Sequence, residues 1–246
     1  MPNFDLTNEE AEDLTAFLMS QRKPIAKSTE QAPAALTRFA SNKAKALLKS
    51  KLACQGCHRI GPEGGRIGPD LNSVGNRLQP DYIQAIIEKP QAIAPHSIMP
   101  RIPLTKKVSH LITSFLINQT NTTQSLPYLS PADHATVRHR SSTNITQLYL
   151  KNCAPCHGPR GNGDGFNAAF LTVRPSQHAQ PNHSSKIPDD TLYDGIHSGG
   201  AVLNKSQLMP PWGQTLSPTQ IRSLVKHIRD LCDCDGPSWS LPPKQP

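Results

Sequence analysis

The chain has 246 residues, a formal net charge of +8, 36% hydrophobic and 5% aromatic residues, and 24 prolines. So few aromatic residues and so many prolines argue against one large core and favour small helical units joined by proline-rich connectors. No apolar run approaches the ~18 residues of a membrane-spanning helix, and 18% charged residues are too few for a solvated disordered chain.

The N-terminal segment contains one amphipathic pattern followed by a break. Leu14, Phe17 and Leu18 recur at helical spacing, which predicts a helix over residues 8–22 with these three side chains buried. Residues 23–34 contain two prolines among mixed polar residues, so we expect a linker there.

Positive charge is concentrated in the first quarter of the chain. Nine Lys or Arg residues and one acid, Glu30, lie between Arg22 and Arg59. Such a segment is either a solvated helix face or a surface that steers an acidic partner. Nucleic acid is a poorer candidate, because no aromatic residues alternate with the lysines and no binding motif is present.

The next pattern is a helix that leads into a cysteine motif. Seven apolar residues have the spacing of one helix face: Leu36, Phe39, Ala40, Ala44, Leu47, Leu48 and Leu52. The motif Cys54-Gln-Gly-Cys57-His58 follows directly. Pro80 predicts the start of a middle helix, and Thr105 predicts the start of a closing helix.

The same plan then occurs a second time. Residues 121–141 are polar with little apolar periodicity, which predicts a linker. After it come a short apolar pattern, the motif Cys153-Ala-Pro-Cys156-His157 and a glycine-rich loop. A phosphate-binding loop is the other interpretation of these glycines, but no strand precedes them and no Gly-Lys-Ser follows. Ser217-Pro218 predicts the start of another closing helix.

The two Cys-x-x-Cys-His motifs define the chemistry. One helical turn places both sulfurs on the same side, and covalent haem needs two thioether bonds and a proximal nitrogen on iron. A structural zinc site would bring a second ligand pair within about 20 residues, whereas these pairs lie 99 residues apart. A thioredoxin-like pair expects a βαβ setting. Ordinary disulfides remain open on spacing alone, but they do not account for the histidines.

With these motifs the sequence resembles the class I c-type cytochromes over residues 35–120 and 142–235. The resemblance implies an all-α fold with two tandem cytochrome c-like helical domains, each wrapped around one covalent haem c and its iron. The implied attachment residues and proximal ligands are Cys54, Cys57 and His58 in the first domain, and Cys153, Cys156 and His157 in the second.

The resemblance also implies sixth ligands. Met99 and Met209 are each followed by proline, and they lie 45 and 56 residues after the first cysteine of their motifs. Both fit the family's order of haem motif, middle helix, methionine loop and closing helix. His96 and His197 are the alternative sixth ligands, which would give bis-histidine ligation.

Three further residues are implied by the family pattern. A proline carbonyl in a Gly-Pro-x-Leu stretch accepts a hydrogen bond from the proximal histidine in these cytochromes, and Pro69 is the matching position. Pro175 is the counterpart in the second copy. Trp212, in the second methionine loop, is expected to lie against the haem.

The N-terminus repeats part of the same plan. Residues 1–18 align without gaps to 99–116, with seven of the eighteen positions identical. We therefore expect residues 1–22 to be the methionine loop and closing helix of a truncated upstream cytochrome domain. A genuine N-terminal helix with Met1 as initiator is the alternative. The C-terminal residues 236–246 are expected to form an irregular tail, and Cys232 and Cys234 stay unassigned.

An iron with two protein ligands has no open position for substrate, so we expect an electron carrier in a respiratory chain or redox complex rather than an enzyme. The alternatives are an oxidoreductase subunit in which one haem opens for peroxidase-like or sulfur-compound chemistry, and a docking subunit. The expected partners are redox proteins with an acidic docking face. Haem attachment in this family implies a periplasmic location. The first 30 residues lack a signal-peptide core, so any export signal or anchor is expected in a missing N-terminal part.

Overall fold

The computed structural model describes residues 6–21, 36–120 and 144–241, and these are all-α. The helices are α1 (Asn8–Ser20), α2 (Arg38–Ser50), α3 (Cys54–Cys57), α4 (Pro80–Glu88), α5 (Pro90–Ile93), α6 (Lys106–Ile117), α7 (Asn144–Asn152), α8 (Ala154–His157), α9 (Pro181–Ser184), α10 (Asp189–Ser198) and α11 (Pro218–Cys232). The described ranges contain no strand, only an isolated bridge between Ile60 and Glu63. The expected linkers 23–34 and 121–141 lie outside the described residues.

Contacts divide the chain into the units Met1–Gln31 and Ala32–Pro246. In the first unit, α1 begins after Thr7, whose hydroxyl accepts from the backbone of Glu10 while the Glu10 carboxylate accepts from the backbone of Thr7. The prediction that Leu14, Phe17 and Leu18 are buried is wrong, because they are 46%, 58% and 59% exposed.

The first core of the second unit is built from α2, α4 and α6. Its buried side chains are Ala44, Leu48, Val74, Ile83, Ile112, Phe115 and Leu116. Pro80 is the first residue of α4, and Thr105 caps α6 through its hydroxyl, as the sequence predicts. Phe39 was expected in this core but is 78% exposed. It lies five residues before Ala44 and so points about 140° away from it around the helix.

We expect Ile112→Ala to lower the free energy of unfolding by about 2–5 kcal/mol, because the Ile112 side chain is 2% exposed and its removal leaves a cavity. The matched control Phe39→Ala should change it by less than about 0.5 kcal/mol. Urea unfolding of the holoprotein measures both. An equal loss in the two variants would contradict the exposed position of Phe39.

The second core is built from α7, α10 and α11. Its fully buried residues include Tyr149, Ile221 and Leu224. Ser217 caps α11 together with Gln220, which confirms the predicted helix start. In both cores the helix before the cysteine motif packs on the last helix of that core: α2 packs on α6, and α7 packs on α11.

Beyond α11 the structure contains a short disulfide. Cys232 is bonded to Cys234, with their Cα atoms 5.2 Å apart. Asp233 between them adopts a left-handed conformation with φ of +46°, and this residue caps the C-terminal end of α11. Within the described residues, no helix combines the length and apolar character needed to cross a membrane.

Candidate functional site

The first cysteine motif forms a single helical turn with the histidine at its end. In α3 the backbone N–H of His58 donates to the carbonyl of Cys54 at 2.8 Å, and both cysteines are free thiols. The Nδ1 of His58 lies 2.8 Å from the carbonyl oxygen of Pro69. A carbonyl can only accept, so Nδ1 carries the proton and the lone pair is on Nε2.

The loop that supplies this carbonyl is closely packed against the histidine. A Cβ at Gly68 would lie 2.4 Å from Cε1 of the His58 ring, so only glycine fits there. Next to Pro69, the buried carboxylate of Asp70 accepts from Arg59 at 2.9 Å. This ion pair joins the residue after His58 to the residue after Pro69, and it therefore keeps the carbonyl in place.

The second motif has the same local geometry with a different acceptor. The N–H of His157 donates to the Cys153 carbonyl at 2.9 Å, and Nδ1 of His157 lies 2.9 Å from the carbonyl of Ser176. The expected acceptor, Pro175, is therefore wrong by one residue. The Pro175 carbonyl points instead at Gly163, where a Cβ would lie 2.8 Å from it.

Burial sets the protonation state of these groups. It raises the pKa of Cys54 to about 11 and those of Cys57 and Cys153 to about 12, so the thiols stay protonated at neutral pH. A thioredoxin-like or catalytic cysteine requires the opposite shift. Burial also lowers the pKa of His58 and of His157, against a smaller raising effect of their carbonyl partners. Both imidazoles are therefore neutral and keep a lone pair for a metal.

The second motif opens into a cavity of about 430 Å³ with mostly apolar walls. Its volume lies in the range of cofactor sites, roughly 300–1,000 Å³. The walls include residues of both halves of the chain: Cys57, Ile98, Cys153, Cys156, His157, Met209 and Trp212. The fold thus brings His157 and Met209, 52 residues apart in sequence, to one chamber.

The methionine loops are anchored through their backbones. The carbonyl of Met209 accepts from the N–H of Gly200 at 3.1 Å. The carbonyl of Met99 accepts from the Gln91 side chain at 2.7 Å, and the N–H of Met99 donates to the Ser97 hydroxyl at 3.1 Å. Such bonds leave each thioether side chain free to ligate.

The alternative sixth ligands lie at the surface. His96 and His197 are exposed, and neither is among the described residues that line the cavity. The Nδ1 of His197 lies 2.9 Å from the Ser198 hydroxyl, and its ring packs against Gly213, where a Cβ would be 2.4 Å from Nε2. This position favours Met209 as the ligand facing the chamber, whereas Met99, like His96, is not among the residues that line it.

Two residues near the site have no signal in the sequence. The ring of His178 stacks on that of His157 with 4.1 Å between centroids, and its Nδ1 lies 3.1 Å from the Tyr149 hydroxyl. Burial lowers the pKa of His178 well below its ordinary value, so this ring is neutral too. Asn167 is fully buried and contacts both motifs. Both residues lie in irregular segments, where no periodicity could single them out.

A covalent haem fits this set of groups. Each motif offers two free thiols on one helical turn and a neutral imidazole whose Nε2 keeps its lone pair, and the second adds an apolar chamber with a thioether in its wall. Among the described residues, no three His, Cys, Asp or Glu side chains are arranged to hold a metal ion by themselves. When bound, haem supplies an iron that cycles between ferrous and ferric states.

Comparison with known proteins agrees with this chemistry. Residues 141–228 match the family model described as cytochrome c oxidase, cbb3-type, subunit III. Over this range the chain is similar to c-type cytochrome domains, and the match supports covalently bound haem c and electron transfer. The matched range contains Cys153, Cys156, His157 and Met209.

The chain is also similar to a curated bacterial protein. It is 26% identical over 102 residues to a subunit of the nicotinate dehydrogenase of Pseudomonas putida. The alignment covers 41% of this chain but only 8% of that protein. No solved structure matches the chain.

Proposed function

We propose that the chain is a dihaem c-type cytochrome that transfers electrons between redox partners. One haem is attached at Cys54 and Cys57, the other at Cys153 and Cys156. His58 and His157 are the proximal ligands, and Met99 and Met209 complete the coordination. The observation that carries the proposal is the repetition of one arrangement: two free thiols and a histidine whose Nδ1 is bonded to a backbone carbonyl.

The protein's part in this function is to hold and tune the two groups. The carbonyls of Pro69 and Ser176 orient the imidazoles and raise the electron density at Nε2. Trp212, 5% exposed, and the apolar cavity walls keep water away from the second site. Low water access and methionine ligation both act on the reduction potential.

A reductive titration tests the proposal directly. We expect the anaerobic, fully oxidised holoprotein to take up two electrons per chain, one at each site, with two bound haems per chain. Uptake of a single electron would contradict the dihaem assignment, because one of the two motifs would then be without redox function.

The repeats support a domain organisation for this cytochrome. We propose domains over residues 35–120 and 142–235, with 23–34 and 121–141 as linkers and 236–246 as a tail. We further propose that 1–22 is the closing segment of another cytochrome domain, because α1 resembles α6 in sequence and exposes its apolar face. Sequencing the DNA upstream in frame tests this: a further Cys-x-x-Cys-His motif is expected, and a stop codon directly before Met1 would contradict it.

The similarity to part of a dehydrogenase favours a role within an oxidoreductase complex. We propose that the chain accepts electrons from a catalytic partner and passes them on, in the periplasm, where c-type haem is attached in this family. An alternative is that one haem opens for catalysis of its own. The holoprotein without partners should show no turnover of peroxide or thiosulfate, and sustained turnover would favour this alternative.

The basic segment on α2 is proposed to face an acidic redox partner. Lys43, Lys45 and Lys49 are exposed on this helix. We expect Lys45→Glu to slow oxidation of the reduced holoprotein by ferricyanide, an anionic probe, about threefold at low ionic strength, with the difference vanishing at high salt. The exposed Lys186, outside this segment, provides the control Lys186→Glu. Equal slowing in both variants would indicate only the effect of net charge.

A further inference from the structure

Asn167 lies at the junction of the two cysteine motifs. It precedes the short 3-10 helix Ala168–Phe170 and has no exposed surface. Its backbone N–H donates to the carbonyl of Pro155 at 2.9 Å, inside the second motif. This backbone hydrogen bond links Asn167 to α8, the helical turn that contains Cys156.

The side chain of Asn167 reaches the other motif. Its Oδ1 accepts from the backbone N–H of Arg66 at 2.7 Å, and its Nδ2 donates to the carbonyl of Gly56 at 2.9 Å. Gly56 lies between Cys54 and Cys57 in the first motif. The same Nδ2 also lies 3.3 Å from Sγ of Cys156. One carboxamide thus contacts both motifs.

The segments around the two motifs approach each other so closely that residues larger than glycine do not fit at the contact. A Cβ at Gly56 would lie 2.2 Å from the carbonyl oxygen of Leu208. A Cβ at Gly65 would lie 2.4 Å from the Gly56 carbonyl oxygen and 2.8 Å from Oδ1 of Asn167. Around Asn167, backbone groups and one side-chain amide are therefore in close contact, with glycines where the contact is closest.

The chemistry of this contact requires a carboxamide. The backbone near the first motif presents one buried N–H donor and one buried C=O acceptor. An asparagine side chain can accept from the N–H and donate to the C=O. An ionised aspartate at this position would accept from Arg66 but could not donate to Gly56. Leucine would leave both backbone groups without partners, which is costly in a buried site.

We propose that Asn167 is a positioning residue that fixes the two Cys-x-x-Cys-His motifs against each other and so sets the spacing of the two haem attachment sites. The inference rests on the proposed function in requiring a haem at each motif. Its geometric basis is that Cys57 and Cys156, one attachment residue from each motif, line the same cavity.

Another contact near Asn167 supports the same arrangement. The guanidinium of Arg66 lies over the ring of Phe170, 4.2 Å from its centroid. This contact joins the same two segments as the Asn167 amide.

The test uses holoprotein carrying Asn167→Leu or Asn167→Asp, with Asn118→Asp as the matched control. Within the described residues, the Asn118 amide donates to the Ser114 carbonyl of α6, the helix that it follows. Three quantities are measured: haems per chain, hydrogen exchange of the Arg66 amide, and the magnetic interaction between the two oxidised haems by electron paramagnetic resonance. Exchange reports the contact itself, and the magnetic interaction reports the spacing.

We expect Asn167→Leu to accelerate exchange at Arg66 at least about tenfold and to change the magnetic interaction. Asn167→Asp should change the magnetic interaction while Arg66 exchange stays within about threefold of wild type, since a carboxylate still accepts from that N–H. The control Asn118→Asp should match the wild type in all three measurements.

Two results would overturn the inference. One is unchanged exchange at Arg66 in Asn167→Leu, which would show that the contact is absent in solution. The other is an unchanged magnetic interaction in both Asn167 variants despite two haems per chain, which would leave Asn167 without a positioning role. A single haem in the wild type would instead refute the proposed dihaem function, and the haem count identifies that case separately.

Discussion

We expect replacement of both Cys153 and Cys156 with serine to leave the holoprotein with one covalently bound haem per chain instead of the proposed two. Serine cannot form the thioether bonds, and the other pair, Cys54 and Cys57, belongs to a separate helical turn with its own histidine. Mass spectrometry of the denatured chain measures the loss, because only covalently attached haem survives denaturation. The effect is all-or-none at the second site.

Two variants serve as controls for this result. Replacing Cys54 and Cys57 with serine should remove the other haem and keep the one at Cys153 and Cys156. Replacing Cys232 and Cys234 should remove only the disulfide and keep both haems, since these cysteines belong to neither motif. Retention of two haems in the Cys153 and Cys156 variant would contradict the assignment of the attachment residues.

We expect Met209→Ala to lower the reduction potential of one haem by on the order of 0.1 V or more, within the roughly 0.8 V range that axial ligands span. Methionine opposite histidine favours the ferrous state, and water or hydroxide in its place does so less. A redox titration followed by visible absorbance measures the shift. Loss of the methionine-to-iron charge-transfer band of that haem should accompany it. Met99→Ala is expected to do the same to the other haem.

The control for both substitutions is Met19→Ala, because Met19 is 53% exposed on α1 and belongs to neither of the two cores. It should leave both potentials unchanged. If instead His197→Ala or His96→Ala moved a potential and the methionine substitutions did not, bis-histidine ligation would replace the proposed coordination. Each candidate ligand is thereby tested against its rival at the same site.

Local patterns predicted the helix starts well and some tertiary positions poorly. Thr105 and Ser217 cap their helices as expected, because capping depends on residues within one turn. The prediction that Phe39 is buried is wrong: its three-residue spacing from Leu36 suggested the buried face, but it lies about 140° around α2 from Ala44 and is exposed. Pro175 is not the hydrogen-bond acceptor of His157, because the spacing of residues in the sequence does not determine the path of the loop that brings Ser176 to the histidine.

The attachment chemistry is a property of the sequence by itself. Two cysteines three residues apart and the adjacent histidine share one helical turn in α3 and at the start of α8, whatever surrounds them. The same is true of the capping residues and of the apolar stripes on α4, α6 and α11.

Only the tertiary structure decided how these local units meet. The Pro69 and Ser176 carbonyls lie 11 and 19 residues from their histidines, and Asn167 reaches Gly56 across 111 residues. Contacts over such separations depend on the packing of whole helices, which decides which loops come together. That packing brings Met209 to the chamber of His157 and places Cys57 beside it, so the sequence specifies two haem motifs and the fold sets their relation to each other.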